Sequence, residues 1–274
     1  MIRAAVSLLL SLTFLNQAQR PALEFKDAPV AQKKATLNAL AGDRLQLEAN
    51  ELRELLEYGL DDTDSEVRRH ALLAVAGRSA KGWYWTASRT SGDQERTVLR
   101  LLRPRLFTLM SDEDEELRLA ALLAAGNMDI ERTRTEILLG PEMSQKLAGM
   151  YASDPSVTIR REIIKTFALV KTTGNPSPIE AAVLDAAARS DVSTVQYALM
   201  AIARLQLMQA LPVVAEHLKG SDRRIRMAAA QSLVGLLPAS RDYLAQLQQA
   251  AEVEQDDITK KTMLGSITAL TRPE

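Results

Sequence analysis

Not one of the 274 residues is a cysteine. That excludes disulfides, a thiolate nucleophile, a Cys-ligated metal and acylation of a lipoprotein-type cysteine. Histidine occurs only at His70 and His217, far apart in sequence, whereas a transition-metal site needs clustered nitrogen and oxygen donors. No metal site is expected. Aromatics make up only 4% of the chain, so its core must be built from Leu, Ala, Val, Ile and Met. Such a core suits closely packed helices and excludes aromatic-rich sandwich or sugar-binding folds. Glycine is sparse and no long alternating β-branched run occurs, which makes the chain all-helical. A net charge of -1 provides no field to draw nucleic acid or an anionic membrane, so no nucleic-acid partner is expected. Nucleophile-elbow, Walker-type, dinucleotide-binding and zinc-protease patterns are all missing. We therefore expect no catalysis and no cofactor.

Long apolar runs are also scarce. The exception is Ala4 to Leu15, 12 residues preceded by Arg3 and followed by the polar Asn16-Gln17-Ala18-Gln19. It is too short to span a bilayer as a helix and has the order of a signal peptide. Residues 1–18 are thus expected to be removed after Ala18, leaving an exported protein, periplasmic or extracellular, with no integral membrane segment. Residues 19–44 read as a linker and a polar capping helix, Ala31 to Leu40, between breaks at Pro21 and Pro29 and the stronger amphipathic run from Leu45 to Leu60.

What the chain does have is self-similarity from residue 45 to 274. An acidic residue precedes an aliphatic anchor, mostly followed by a basic residue, six times: Asp62…Val67-Arg68, Asp112…Leu117-Arg118, Asp154…Ile159-Arg160, Asp191…Val195-Gln196, Asp222…Ile225-Arg226 and Asp257-Ile258…Lys260. Periods of about 30–50 residues mean stacked supersecondary units. Offsets of 0, +4 and +8 from each anchor keep one helix face apolar, as in Val67, Ala71 and Val75, and the +4 position is small in most copies. Carboxylates at the turns cap helix N-termini and oppose the positive end of the macrodipole. The Asp62-x-Asp64-x-Glu66 spacing suggests a calcium loop, but Val67 and Leu73 stand where glycine and glutamate are required.

The pattern Asp-x4-Val-Arg-x2-Ala resembles the HEAT repeat, including the short HEAT-like units of phycobilin lyases. The copy from Lys219 to Leu233 carries the likeness most fully. The resemblance implies an α-solenoid of about six helical hairpins, with Pro104 and Pro212 inside kinked first helices. It also implies a ladder between neighbouring repeats, formed here by Asp62, Arg68, Asp112, Arg118, Asp154, Arg160 and Arg226. The HEAT-like di-iron hydroxylases need His-Glu pairs, and this chain has none.

Two surfaces are candidates for binding. Lys81 to Gly92 interrupts the repeat and holds Trp83, Tyr84 and Trp85; insertions in repeat proteins map to loops, often on the binding face. The second surface is the outward ridge of the second helices, two residues beyond each anchor: Arg69, Leu119, Arg161, Tyr197, Met227 and Lys260. The expected function is that of a non-catalytic scaffold binding a protein or peptide through its concave face and the aromatic loop. A structural module of a cell-envelope assembly, and an envelope enzyme or ligand carrier with a site in the groove, are the alternatives.

Overall fold

Helix caps set the boundaries. The computed structural model describes residues 21–42, 44–45, 47–84, 97–98, 100–128, 130–132, 137–172, 177–189 and 191–272. The chain divides into two compact units, Met1–Met128 and Asp129–Glu274. In the first unit the helices are α1 (Pro21–Asp27), α2 (Val30–Ala41), α3 (Ala49–Leu60), α4 (Ser65–Tyr84), α5 (Arg103–Leu109) and α6 (Glu115–Met128). The second unit holds α7 (Pro141–Ser153), α8 (Val157–Leu169), α9 (Ser177–Arg189), α10 (Val192–Leu205), α11 (Leu211–His217), α12 (Arg223–Gly235), α13 (Leu244–Val253) and α14 (Asp257–Thr271). The fold is an all-α solenoid.

Consecutive helices form hairpins, and equivalent helices of neighbouring hairpins pack side by side. In the first unit α1 packs on α3, α2 on α4, and α4 on α6. In the second, α8, α10, α12 and α14 form one row, each packed on the next, and α7 and α9 pack in the other layer. Residues 20–28, expected as linker, contain α1. Its Ala22 and Phe25 are buried, so α1 and α2 make an additional hairpin ahead of the six read from the anchors. The helix expected from Leu45 starts instead at Ala49, because Glu48 and Glu51 close a capping box there.

The apolar offsets face inward. Val67, Ala71 and Val75 are 0% exposed, as are Ile159, Ile163 and Phe167. Full burial of side chains of this size contributes about 1.5–3 kcal/mol each for the larger ones. Small residues allow close approach: a Cβ on Gly59 would stand 2.9 Å from the Ala71 Cβ, and one on Gly235 would stand 2.7 Å from the Ala203 Cβ. Pro104 and Pro212 lie in the first turn of α5 and α11, where the missing N–H has no helical partner to lose. They are therefore not interior kinks, although α11 follows directly on the 3-10 turn Met208–Ala210.

The second unit also carries a three-stranded sheet absent from the sequence expectation. β1 (Ile130–Arg132) pairs antiparallel with β2 (Ile137–Leu139), and β2 pairs parallel with β3 (Lys171–Thr172). Strands of two or three residues are too short to show alternation.

Candidate functional site

Turns between paired helices divide two tasks between two positions. The N-cap side chain accepts backbone N–H groups of the second helix. Asp64 takes those of Glu66 and Val67, Asp114 those of Glu116 and Leu117, and Ser156 that of Ile159. Asp191, Asp222 and Asp256 do the same for α10, α12 and α14. The residue two positions ahead of the N-cap bonds the N-cap's own N–H where it is acidic, as at Asp62, Asp112, Asp154 and Glu254. At this position the fourth and fifth turns carry Arg189 and Gly220.

This register corrects two anchors. In the fourth repeat the buried position three residues after the N-cap is Thr194, 2% exposed, and Val195 stands where the arginine belongs. In the sixth repeat it is Thr259, 1% exposed, whereas Ile258 is 64% exposed. Both threonines return their hydroxyl to the capping aspartate, Thr194 Oγ1 to Asp191 Oδ2 at 2.6 Å and Thr259 Oγ1 to Asp256 Oδ1 at 2.9 Å. An apolar-only search misses a polar residue satisfied in this way.

The ladder follows from the same register. Arg68 Nη1 bonds the carbonyls of Asp62 and Thr63 in its own turn, at 2.9 and 3.1 Å. Arg118, Arg160 and Arg226 hold the equivalent turn carbonyls. At three positions the cation also reaches the acid of the following repeat. Lys33 meets Asp62 at 2.8 Å, Arg68 meets Asp112 at 3.8 Å, and Arg226 grips Glu254 with two bonds at 2.6 and 2.8 Å. Glu254 was hidden from the sequence reading because the acidic Asp257 nearby claimed the alignment.

Electrostatics agree with the geometry. Burial raises the pKa of Asp62, but bonds from Lys33 and the Asp64 N–H outweigh it and hold the carboxyl below its ordinary value. The Arg226 fork does the same for Glu254 against its burial, and its own pKa rises in return. A second chain of ions runs Lys34–Glu66–Arg69–Glu116 across α2, α4 and α6. Bonds from Arg69 and then Lys34 pull Glu66 down to about 2.

Arg69 is therefore engaged within the ridge itself. Arg161 on α8 and Tyr197 on α10 are half-buried on packed neighbouring helices, and Arg161 lowers the pKa of Asp191, though less than the bonds from Thr194 and Ser193 do. In the corrected register Tyr197 lies one position round from the ridge, where Gln196 stands, and the sixth ridge residue is Lys261 in place of Lys260. Trp83 and Tyr84 do not sit in a loop, because α4 continues through both. Trp85 and the rest of the segment to Gly92 lie outside the described residues, as does the expected signal peptide.

One feature of the ridge was not anticipated. Six residues after the corrected anchors, Leu73 on α4 and Leu123 on α6 are 44% and 43% exposed, and Met200 on α10 repeats the position at 38%. Among the described residues no group of His, Cys, Asp and Glu is placed to hold a metal ion, and no helix is long and apolar enough to cross a membrane.

No protein-family model and no curated protein matches the chain. Among solved structures it is similar to the archaeal HEAT-like repeats protein from Thermococcus onnurineus NA1. The TM-score is 0.59 over 89% of this chain and 98% of that one, at 14% sequence identity. At that identity the likeness carries the architecture alone, and the fold of this chain is a HEAT-like repeat solenoid.

Proposed function

We propose that the protein is an exported, non-catalytic scaffold that binds a protein or peptide along the ridge of its second helices. The observation that carries this reading is the matched exposure of Leu73 and Leu123 on the adjacent helices α4 and α6. A lone exposed leucine is ordinary, but apolar side chains repeated at one offset on packed helices make an apolar stripe. Leu119 extends it, half-buried, two residues beyond its anchor. An amphipathic partner helix lays its apolar face on such a stripe. Charged residues of the Lys34–Glu66–Arg69–Glu116 chain rim it. Export is proposed on the Arg3-led apolar run, and Trp83, Tyr84 and Trp85 are proposed as a further contact.

The test replaces both exposed leucines with aspartate, L73D and L123D, and compares pull-downs from the envelope fraction. Both side chains are solvated, so the variant is expected to melt close to the parent while losing its captured partner. Retention of that partner by a folded variant removes the ridge from the binding site. Sequencing the N-terminus of protein from its host tests export, with Gln19 expected near the start and Met1 in a cytoplasmic fraction counting against it.

A further inference from the structure

We infer that the first turn of α8 is a binding site for a carboxylate supplied by an acidic peptide, with Arg160 as its principal ligand and Arg161 beside it. This deepens the binding reading above by naming the chemistry of a second contact, and it rests on that reading.

The rungs of the ladder differ from one another within the same chain. At three rungs a basic residue four positions after the N-cap has its outer edge completed by an acid two positions ahead of the next N-cap. That is so for Lys33 with Asp62, Arg68 with Asp112, and Arg226 with Glu254. From the fourth to the fifth repeat both members are lost together, since Val195 faces the position of Gly220 and no charge is left over. From the third to the fourth repeat only one member is lost. Arg160 is retained, but the acid position is Arg189.

Arg160 therefore keeps its inner anchor and lacks an outer one. Its Nη1 donates to the Asp154 carbonyl at 2.5 Å, which fixes the guanidinium on its own turn. Among the described residues no carboxylate forms an ion pair with Arg160, and Arg161 acts on Asp191 only through its charge, without a direct ion pair. The acids nearby are already committed. Asp191 accepts the N–H groups of Ser193 and Thr194 and the Thr194 hydroxyl. Asp185 accepts the Tyr151 hydroxyl at 3.1 Å and pairs with Arg189 at 3.5 Å. Arg189 itself is 80% exposed and adds positive charge at the rim.

A guanidinium held by one edge presents the other as a planar fork for a carboxylate. The Arg226–Glu254 rung shows the geometry that results when the acid is present, two bonds of 2.6 and 2.8 Å. A partner's Glu or Asp side chain completes the third rung in the same manner. Carboxylate is favoured over phosphate because the described ladder rungs in this chain are closed by Asp or Glu.

The experiment titrates the full-length mature protein with a fluorescent hexaglutamate peptide at fixed ionic strength. Hexalysine and inorganic phosphate serve as comparison ligands. Saturable binding of hexaglutamate is expected, weakened roughly tenfold by Arg160→Ala. Arg189→Glu is the second arm and does not depend on Arg160→Ala folding. It supplies the missing acid from within the chain and is expected to weaken hexaglutamate to a similar extent. Arg224→Ala removes an exposed arginine paired with its own N-cap Asp222, and is expected to bind like the parent. Parent-like binding by Arg189→Glu or by a folded Arg160→Ala overturns the proposal. So does equal loss in Arg224→Ala, which reduces the effect to net charge, or full competition by phosphate at matched ionic strength, which makes the site a general oxyanion site. These outcomes are independent of the leucine ridge, whose own test is the pull-down with L73D and L123D.

Discussion

Two kinds of residue hold the turns and interfaces, and each fails in its own way when altered. Charged rungs fail by leaving a partner stranded. Glu254 has a side chain only 2% exposed and receives both bonds of the Arg226 fork. Arg226→Ala removes the cation and leaves a buried carboxylate, and should cost about 1–3 kcal/mol in a denaturant melt. A loss indistinguishable from that of an exposed pair such as Arg224–Asp222 would show that the rung is decorative. Close contacts fail by collision. Gly235→Ala places a methyl 2.7 Å from the Ala203 Cβ, and neither atom belongs to a side chain that can swing away. The helices α10 and α12 must then part, at a cost of about 1–3 kcal/mol. An unchanged melting temperature for Gly235→Ala would mean that the two helices slide at no cost. Gln206 offers a contrast, since it closes α10 in the left-handed region at φ 58 and its amide bonds the carbonyls of Ala203 and Gly235. The side chain's two bonds offset a backbone conformation costing about 1 kcal/mol.

Helices begin where carboxylates meet free N–H groups, and this makes the helix starts sensitive to acid. Asp62, Asp191, Asp222 and Glu254 all have pKa values lowered by the bonds they accept. Asp256 falls to about 2, chiefly through the Thr259 N–H and hydroxyl and then Arg223. A carboxylate whose pKa is lower folded than unfolded binds its proton more readily in the unfolded chain, so protonation favours unfolding. Its contribution is complete above the ordinary carboxylate range near about 4 and disappears as pH falls toward about 2. The melting temperature should therefore decline progressively from about pH 5 to about pH 2. Thr259→Val should flatten the lower part of that decline, because it removes one of the three bonds that lower Asp256. A melting temperature independent of pH down to about 2.5 would show that the caps contribute nothing net.

At this same scale the sequence was legible in part, and the limits have physical causes. The hairpins were visible because Val67, Leu117 and Ile159 stand at apolar anchors ahead of Ala- and Ile-rich runs. Thr194 and Thr259 hid the fourth and sixth registers, because a buried threonine bonded to its cap reads as a surface residue. Ile258, exposed beside Thr259, read as the core residue instead. The first hairpin was missed because α1, with Ala22 and Phe25 buried, is only seven residues long, too short for a periodic signal. Leu73 and Leu123 were missed as a stripe for the opposite reason, since leucine in an apolar helix is assumed to face the core. Arg160 was assigned to the ladder by its motif. Its missing acid became apparent only when the turns were aligned by their caps and not by their nearest aspartate.

Each of the two units is built from nearest-neighbour contacts, and its stability should behave accordingly. In the second unit α12 packs on α10, on its hairpin mate α11 and on α14, while α14 packs on α12 and on its own mate α13. Removing residues 244–274 therefore uncovers the flank of α12 that carried α14 and strips Glu254 from Arg226 without touching α8 or α10. In a globular fold with one shared core, such a cut destroys cooperativity everywhere. In a repeat array it removes one unit and one interface term, and the remaining repeats keep their own contacts. We expect the truncated protein to retain the helical ellipticity per residue of its remaining hairpins, to melt at a lower temperature, and to lose still more stability when the cut is moved back to residue 206. The check is circular dichroism with a thermal melt on the full chain and both truncations. Complete loss of helicity at the first cut would show that the second unit folds as one indivisible core, and the additive account of its stability would have to be abandoned.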